Sequence, residues 1–503
     1  MMPGVVDEER PAVGAKGPVA VLVAMVGAYW LVFGFLVYRQ QSNFGTFGFD
    51  IGIHDQGIWL ASQGRPTFVT VRGLDYFAHH VNLISMAFVP FYWLGAGPHL
   101  LIVVHTLVVA CGAIPLWLLA RDRLENAWLA LAPPLAYLLY PATNWVTWWA
   151  YHPDSLAITP LLFAYWLAVR GKWRWFAFAV VVALSCKEDT ALSVLMLGLV
   201  VALWLRPLQA DDRADGRVRR WIGWSTAVAG LGWYLVCTKV IIPWRNGGRP
   251  PFYDAFFPSL GASIPDVIYN AIRHPSRVWH LAQLPDRRTY YVQMFLPLAF
   301  LPILAVPIFL IGGPQFGVDV TAQYVQGATI KSQYASLVIV GSFLATVEAL
   351  AFLRRRLGQP ALLVGVAALS LMSVVGAVTW GLSPIGTQFH HHGVWLAHNR
   401  LGAELHTALS MVPARDGVSV TYYLTPQMTH RQYVYEFPNP WQSVNYGINN
   451  DRGDPATVQW LVLDAATLGQ PEQALFAQLT SPSGSFRIVY NSHGVMVAHR
   501  AAP

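Results

Sequence analysis

Four short stretches carry side chains able to move protons or hold charge. In Phe49-Asp50-Ile51-Gly52-Ile53-His54-Asp55-Gln56-Gly57-Ile58-Trp59, two acids stand five residues apart among aromatic and apolar neighbours. Such a carboxylate serves as a general base or holds a cation; the plain alternative is a solvated loop. In Asp75-Tyr76-Phe77-Ala78-His79-His80, two adjacent histidines precede an apolar run. They suit a metal or phosphate oxygens, although no third ligand follows at a standard spacing. In Trp148-Trp149-Ala150-Tyr151-His152-Pro153-Asp154, an aromatic cluster of the membrane-interface kind meets a His-Pro-Asp turn. Its acid would otherwise be a helix N-cap. Lys187-Glu188-Asp189 is the clearest signal, because each charge inside a bilayer costs roughly 2.5–3.5 kcal/mol on insertion scales. The three need an aqueous turn or a cavity; the bland reading is a structural Lys–carboxylate pair. Trp244, Arg245, Arg249, Arg273, His274, Arg277, Arg287 and Arg288 add positive charge suited to a lipid phosphate or to headgroups in general. Phe389-His390-His391-His392 with His398 reads as a linker rather than a metal site.

The elements that must position these residues follow from composition. Of 503 residues 55% are apolar and only 12% charged, against roughly 25% charged in soluble proteins. The mean hydropathy is +0.41. That excludes a simple soluble domain and disorder, and points to a polytopic membrane protein. The net charge of +7 forms no dense Lys/Arg stripe, so nucleic acid is not a partner. Cys111, Cys186 and Cys237 lie far apart in apolar stretches, as small buried hydrophobes. Walker A, Gly-x-Ser-x-Gly and His-Glu-x-x-His patterns are absent.

Apolar runs fall near residues 18–38, 81–97, 99–120, 127–147, 154–170, 175–205, 221–242, 291–316, 335–353 and 361–380. Basic clusters at Arg121/Arg123, Arg170–Arg174, Arg206–Arg220 and Arg354–Arg356 mark the cytoplasmic side. Parity then makes 175–205 a hairpin turning at Lys187-Glu188-Asp189. It makes 291–316 double back, with Pro302 and Pro307 as breakers, and 81–97 re-entrant or interfacial. The reading is a mainly α polytopic protein of about eleven spans with its N-terminus inside. Residues 1–17 form a cytoplasmic N-terminus and 18–383 the membrane domain with outer loops 39–80 and 243–290. Residues 384–503 form a small extracytoplasmic α/β domain. Within it, 395–411 has helical spacing and 418–424 and 458–463 read as strands. Residues 486–490 and 495–499 pair around Asn491-Ser492-His493-Gly494. All four chemical stretches land on the outer face.

Taken in order, Asp50-Ile51-Gly52…Gln56…Trp59, His79-His80, His152-Pro153-Asp154 and Lys187-Glu188-Asp189 resemble the bacterial membrane-protein family called domain of unknown function 2079. So do His430-Arg431-Gln432-Tyr433-Val434-Tyr435-Glu436-Phe437-Pro438 and Val462-Leu463-Asp464. That family is similar in layout to the GT-C glycosyltransferases, membrane enzymes that use polyprenyl-phosphate-linked sugars. The resemblance implies a sugar transferred from such a donor to a cell-envelope glycan, lipid or protein, at the outer face of the bacterial inner membrane. Asp50 takes the place of the base, with Asp55 in reserve. His80, His152, Asp154, Lys187, Glu188, Asp189, Arg245, Arg249 and Tyr334 are the substrate-binding candidates, Lys187 and an arginine facing the leaving phosphate. A divalent cation (Mg or Mn) is left open, with its ligands unassigned. Two positions depart from the family pattern: His79 stands where an Asp is usual, and Gln333 where a His often precedes Tyr334. The competing readings are a transporter or flippase with Lys187-Glu188-Asp189 as an ion relay, and a non-enzymatic envelope scaffold.

Overall fold

A computed structural model describes residues 16–208, 213–249, 251, 256–261, 264–323, 327–390, 395, 399–446 and 453–501. His391, His392 and His398 lie outside the described residues, as does most of the N-terminal segment.

The apolar runs form helices. Those used below are α1 (Lys16–Ser42), α2 (Ile53–Ser62), α3 (Leu83–Trp93), α4 (Pro98–Leu124), α5 (Leu129–Leu139), α6 (Pro141–Trp148), α7 (Pro153–Val169), α8 (Trp173–Cys186) and α9 (Thr190–Leu203). After them come α10 (Ala214–Arg245), α11 (Ile264–Arg273), α12 (Pro275–Ala282), α13 (Pro285–Leu298), α14 (Leu301–Phe309), α15 (Gly313–Thr321) and α16 (Ala335–Trp380). Helices α1, α4, α10 and α16 are long and apolar enough to cross a membrane. The 46 residues of α16 are two helices joined at a kink, where Gly358 takes φ 84°, a conformation that favours glycine. At about 1.5 Å per residue, α8 and α9 are shorter than a full span, and α3 shorter still, as the interfacial expectation required.

The basic clusters meet at one end of this bundle. Arg123 pairs with Glu348 at 2.6 Å and donates to the Arg206 carbonyl at 2.6 Å. Arg354 donates to the Arg123 carbonyl, and Arg170 pairs with Asp122. The turn Lys187–Asp189 lies at the far ends of α8 and α9, as expected. The 291–316 run also doubles back, since Arg287 donates to the carbonyls of Val320 and Ala322. Its break is not at the prolines, however. Ala299 and Phe300 take positive φ and bend the path by 82°, while Pro302 and Pro307 start the helices that follow. Proline fits a first helical turn because its missing N–H has no partner there. Helices α9 and α10 touch backbone to backbone: a Cβ on Gly223 would stand 2.5 Å from the Ala202 nitrogen. Small residues at such a seam gain van der Waals contact in lipid.

The tail folds on a five-stranded sheet in the order β4-β3-β5-β7-β6. A short hairpin between α2 and α3 holds β1 (Phe68–Val69) and β2 (Leu74–Asp75). The sheet strands are β3 (Val418–Val420), β4 (Val434–Glu436), β5 (Trp460–Asp464), β6 (Phe486–Ser492) and β7 (Val495–Arg500). Strand β3 runs parallel to β4 and β5, and β7 antiparallel to β5 and β6. The final hairpin turns through His493 and Gly494, both at positive φ, as the sequence indicated. Three local expectations shift. The helix begins at Gly402 as α17 (Gly402–Ser410), and β3 stops at Val420, where a 3-10 turn, Tyr422–Gln427, takes over. Strand β4 lies in a segment not read as a strand. The segment between α1 and α3 and the tail share one core, with Phe44, Ile53, Val69, Val71 and Tyr76 packed with Leu405, Val418, Val420, Leu424 and Val434.

Candidate active site

Asp50 rides on a single π-helical turn, Gly48–Gly52, between α1 and α2. Such turns recur at functional sites because they splay side chains out of the helical repeat. The turn is pressed against the tail: a Cβ on Gly48 would stand 3.1 Å from both the Thr425 Cβ and the Tyr422 carbonyl oxygen. Nε2 of His152 donates to Oδ1 of Asp50 at 3.1 Å. His152 is the extended residue before α7, reached through a reversal at Ala150 (φ 62°). Its Nδ1 is buried with no hydrogen-bond partner among the described residues.

Two residues further on, Asp154 faces Lys187 at 3.8 Å, and Asp189 holds the same ammonium at 3.0 Å. The Tyr334 ring lies 5.8 Å below that charge. Burial would neutralise Lys187, but Asp189, Asp154 and Glu188 override it and keep it charged. Glu188 is buried, accepting from the Val81 amide at 2.9 Å and from His80 Nδ1 at 2.7 Å. His80 is held well below its ordinary pKa by burial and by Lys187, so it donates as a neutral imidazole. His54 is lowered likewise, by burial and then His152, and its Nδ1 lies 2.8 Å from the Tyr76 hydroxyl.

Eight expected residues therefore meet: Asp50, His80, His152, Asp154, Lys187, Glu188, Asp189 and Tyr334. Three go elsewhere. Asp55 is fully buried and accepts from the Tyr92 hydroxyl at 2.5 Å and from Thr429, with His430 Nε2 at 3.1 Å. Arg245 is engaged by Asp75 through two bonds of 2.8 and 2.6 Å. Arg249 is exposed on the loop beyond α10. Among the described residues, no group of three or more His, Cys, Asp or Glu side chains is arranged to hold a metal ion.

The tail and the β1–β2 hairpin add groups that the sequence did not single out. The Tyr422 ring meets Phe49 at 5.7 Å, and its phenol is raised by burial and by the Asp50 charge. The Arg72 guanidinium stands 5.5 Å from the Phe49 ring. Glu436 is pushed up to about 7 by burial and by Glu472, against Arg72. Glu436 was visible only as part of the tail motif, and nothing local flagged Tyr422.

The model of the family described as "Predicted membrane protein (DUF2079)" matches residues 41–497. The chain belongs to that family. No curated protein matches it by sequence. Among solved structures, it superposes on ArnT from Cupriavidus metallidurans bound to undecaprenyl phosphate, with a TM-score of 0.56 and 15% identity. That match covers 97% of this chain and 99% of the other. The Archaeoglobus fulgidus oligosaccharyltransferase, tethered to an acceptor peptide containing the NVT sequon, matches at a TM-score of 0.39 and 12% identity. It covers 97% and 74%, and its score is too low to establish a shared fold. The likeness to ArnT is one of fold: a GT-C-like helical membrane bundle carrying a small sheet domain.

Proposed function

We propose that this family member is a membrane glycosyltransferase that moves a sugar from a polyprenyl-phosphate donor to a cell-envelope acceptor at the outer face of the inner membrane. The observation that supports it most is the Asp50–His152 hydrogen bond, joined through Asp154 to Lys187, at the bundle end opposite the basic loops. Asp50 accepts the proton of an acceptor hydroxyl as that oxygen attacks the anomeric carbon. The bond from that carbon to the phosphate oxygen breaks, and the electron pair leaves with the phosphate. Lys187, kept charged by its acids, faces the charge that develops there. His152 fixes the orientation of the Asp50 carboxylate. Phe47, Phe49, Trp149 and Tyr422 form one ring cluster beside the turn that carries this acid, apolar surface of the kind a sugar ring stacks on.

Asp50→Asn in purified protein tests the reading. Turnover of a polyprenyl-phosphate sugar is expected to fall by about 10²–10⁴-fold. Wild-type turnover in a folded variant removes Asp50 as the base. Proton-coupled uptake into proteoliposomes, abolished in Glu188→Gln, would instead favour a transporter.

A further inference from the structure

The loop between α10 and α13 contains two helices whose outward faces the proposed chemistry leaves unused. Helix α11 has three sectors where an ordinary surface helix has two. Val267, Asn270 and Ala271 turn inward. Val267 is buried with Phe257, Leu260, Leu281 and Ala322, and Asn270 donates to the Leu260 carbonyl at 2.7 Å. Pro265, Ile268, Tyr269 and Ile272 follow the i, i+3, i+4, i+7 spacing and turn outward. Asp266 and Arg273, seven residues apart, share the border between the two. Helix α12 repeats the plan, with Val278 and Leu281 inward and Trp279 outward beside Arg277. Ile268, Tyr269, Ile272 and Trp279 are 55–78% exposed.

The outward sector continues a lipid-facing surface. Helix α10, which leads into the loop, ends in the exposed stripe Val236, Val240 and Trp244, and α13 after the loop enters the bundle again. Both ends of the loop are thus pinned at one boundary of the membrane. Residues 243–290 hold six Arg, three Asp and no Lys or Glu. Tyr and Trp at an apolar–polar boundary with flanking arginines match what an interface with acidic headgroups requires.

We propose that α11 and α12 lie in the plane of the membrane surface, with Ile268, Tyr269, Ile272 and Trp279 among the acyl chains and Arg273 and Arg277 on anionic phospholipid headgroups. This holds whether or not the chain transfers sugars.

The test places a spin label at Ile268→Cys, Ile272→Cys, Trp279→Cys and Arg277→Cys, one at a time, in the full chain. The host nanodiscs are phosphatidylcholine, alone or mixed with phosphatidylglycerol. The unsubstituted chain, whose three cysteines lie in helices of the bundle, gives the background. Collisions with oxygen are expected to exceed those with a water-soluble nickel chelate at 268, 272 and 279, with the order reversed at 277. From mixed discs, Arg273→Gln/Arg277→Gln is expected to retain less phosphatidylglycerol, by roughly fivefold per arginine. Nickel exceeding oxygen at the three apolar positions places the face in water and overturns the proposal. Exclusion of both reagents means protein covers the face, whether a second copy or this chain, and overturns it equally. Unchanged phosphatidylglycerol retention overturns the headgroup assignment.

Discussion

Replacing Asp55 with alanine separates its role from that of Asp50, five residues earlier. The Asp55 carboxylate is fully buried and ties three elements together: α2 on which it rides, Tyr92 of α3, and Thr429-His430 of the tail. A hydrogen bond to a charged group contributes about 1.5–3 kcal/mol, and the pair with the partly exposed His430 adds less. These contributions overlap, because the three donors share one carboxylate and relax together. With two such bonds, from Tyr92 and Thr429, the expected loss for Asp55→Ala is about 3–5 kcal/mol, concentrated where the segment between α1 and α3 meets the tail. Neutral bonds remain there, from Gln56 to the Arg431 and Gln432 carbonyls and from Thr70 to the Val434 carbonyl. The junction should thus loosen rather than separate. Asp50 is 16% exposed and, among the described residues, is held by one hydrogen bond, from His152, so Asp50→Asn should cost about 0.5–1.5 kcal/mol. The assay pairs thermal unfolding in nanodiscs with limited proteolysis of the tail. A wild-type melting midpoint and cleavage rate in Asp55→Ala, or a larger loss in Asp50→Asn, would refute the reasoning.

Three further outcomes are expected. Burial alone would lower the His430 pKa, but the hydrogen bond and charge of Asp55 raise it above its ordinary value. Its stabilising share is then full below about pH 6.5 and fades as pH rises through the folded value, so proteolytic protection of the junction should be stronger at about pH 6 than at about pH 9. The imidazole is partly exposed, so screening keeps this effect small. Glu436, pushed up from 4.5 to about 7, binds its proton more tightly folded than unfolded, so it withdraws stability as pH climbs through that window. Glu436→Gln should therefore melt higher than the parent above pH 7 and lose that advantage below about pH 4.5. At the α9–α10 seam, Gly223→Val should lower the melting midpoint by the equivalent of about 1–3 kcal/mol, because its Cβ meets Ala202 backbone that cannot move aside.

What the sequence disclosed depended on whether a residue's cost was local. Lys187-Glu188-Asp189 marked a turn because charge in an apolar run is expensive wherever the rest of the chain lies. The β6–β7 hairpin was legible for the same reason, since His493-Gly494 must carry the positive φ themselves. Ala299 and Phe300 break a helix with no local preference for doing so; their conformation is imposed by packing, while the nearby prolines drew attention to the wrong place. Asp50 and Asp55 share one local setting, and what distinguishes them lies in the tail: Thr429 stands 374 positions beyond Asp55. Gly48 likewise looks like any loop glycine until Tyr422 and Thr425 arrive beside it.

That last contact governs when the site comes into being. The acid turn leaves the ribosome about 370 residues before the 3-10 turn that backs it. Until the tail emerges the Asp50 turn is without its backing, and the Phe44–Tyr76 share of the joint core has nothing to close on. A nascent or prematurely terminated chain can thus hold every helix from α1 to α16 and still lack the backing of that carboxylate. The backing of the Asp50 turn therefore arrives only with the docking of the tail.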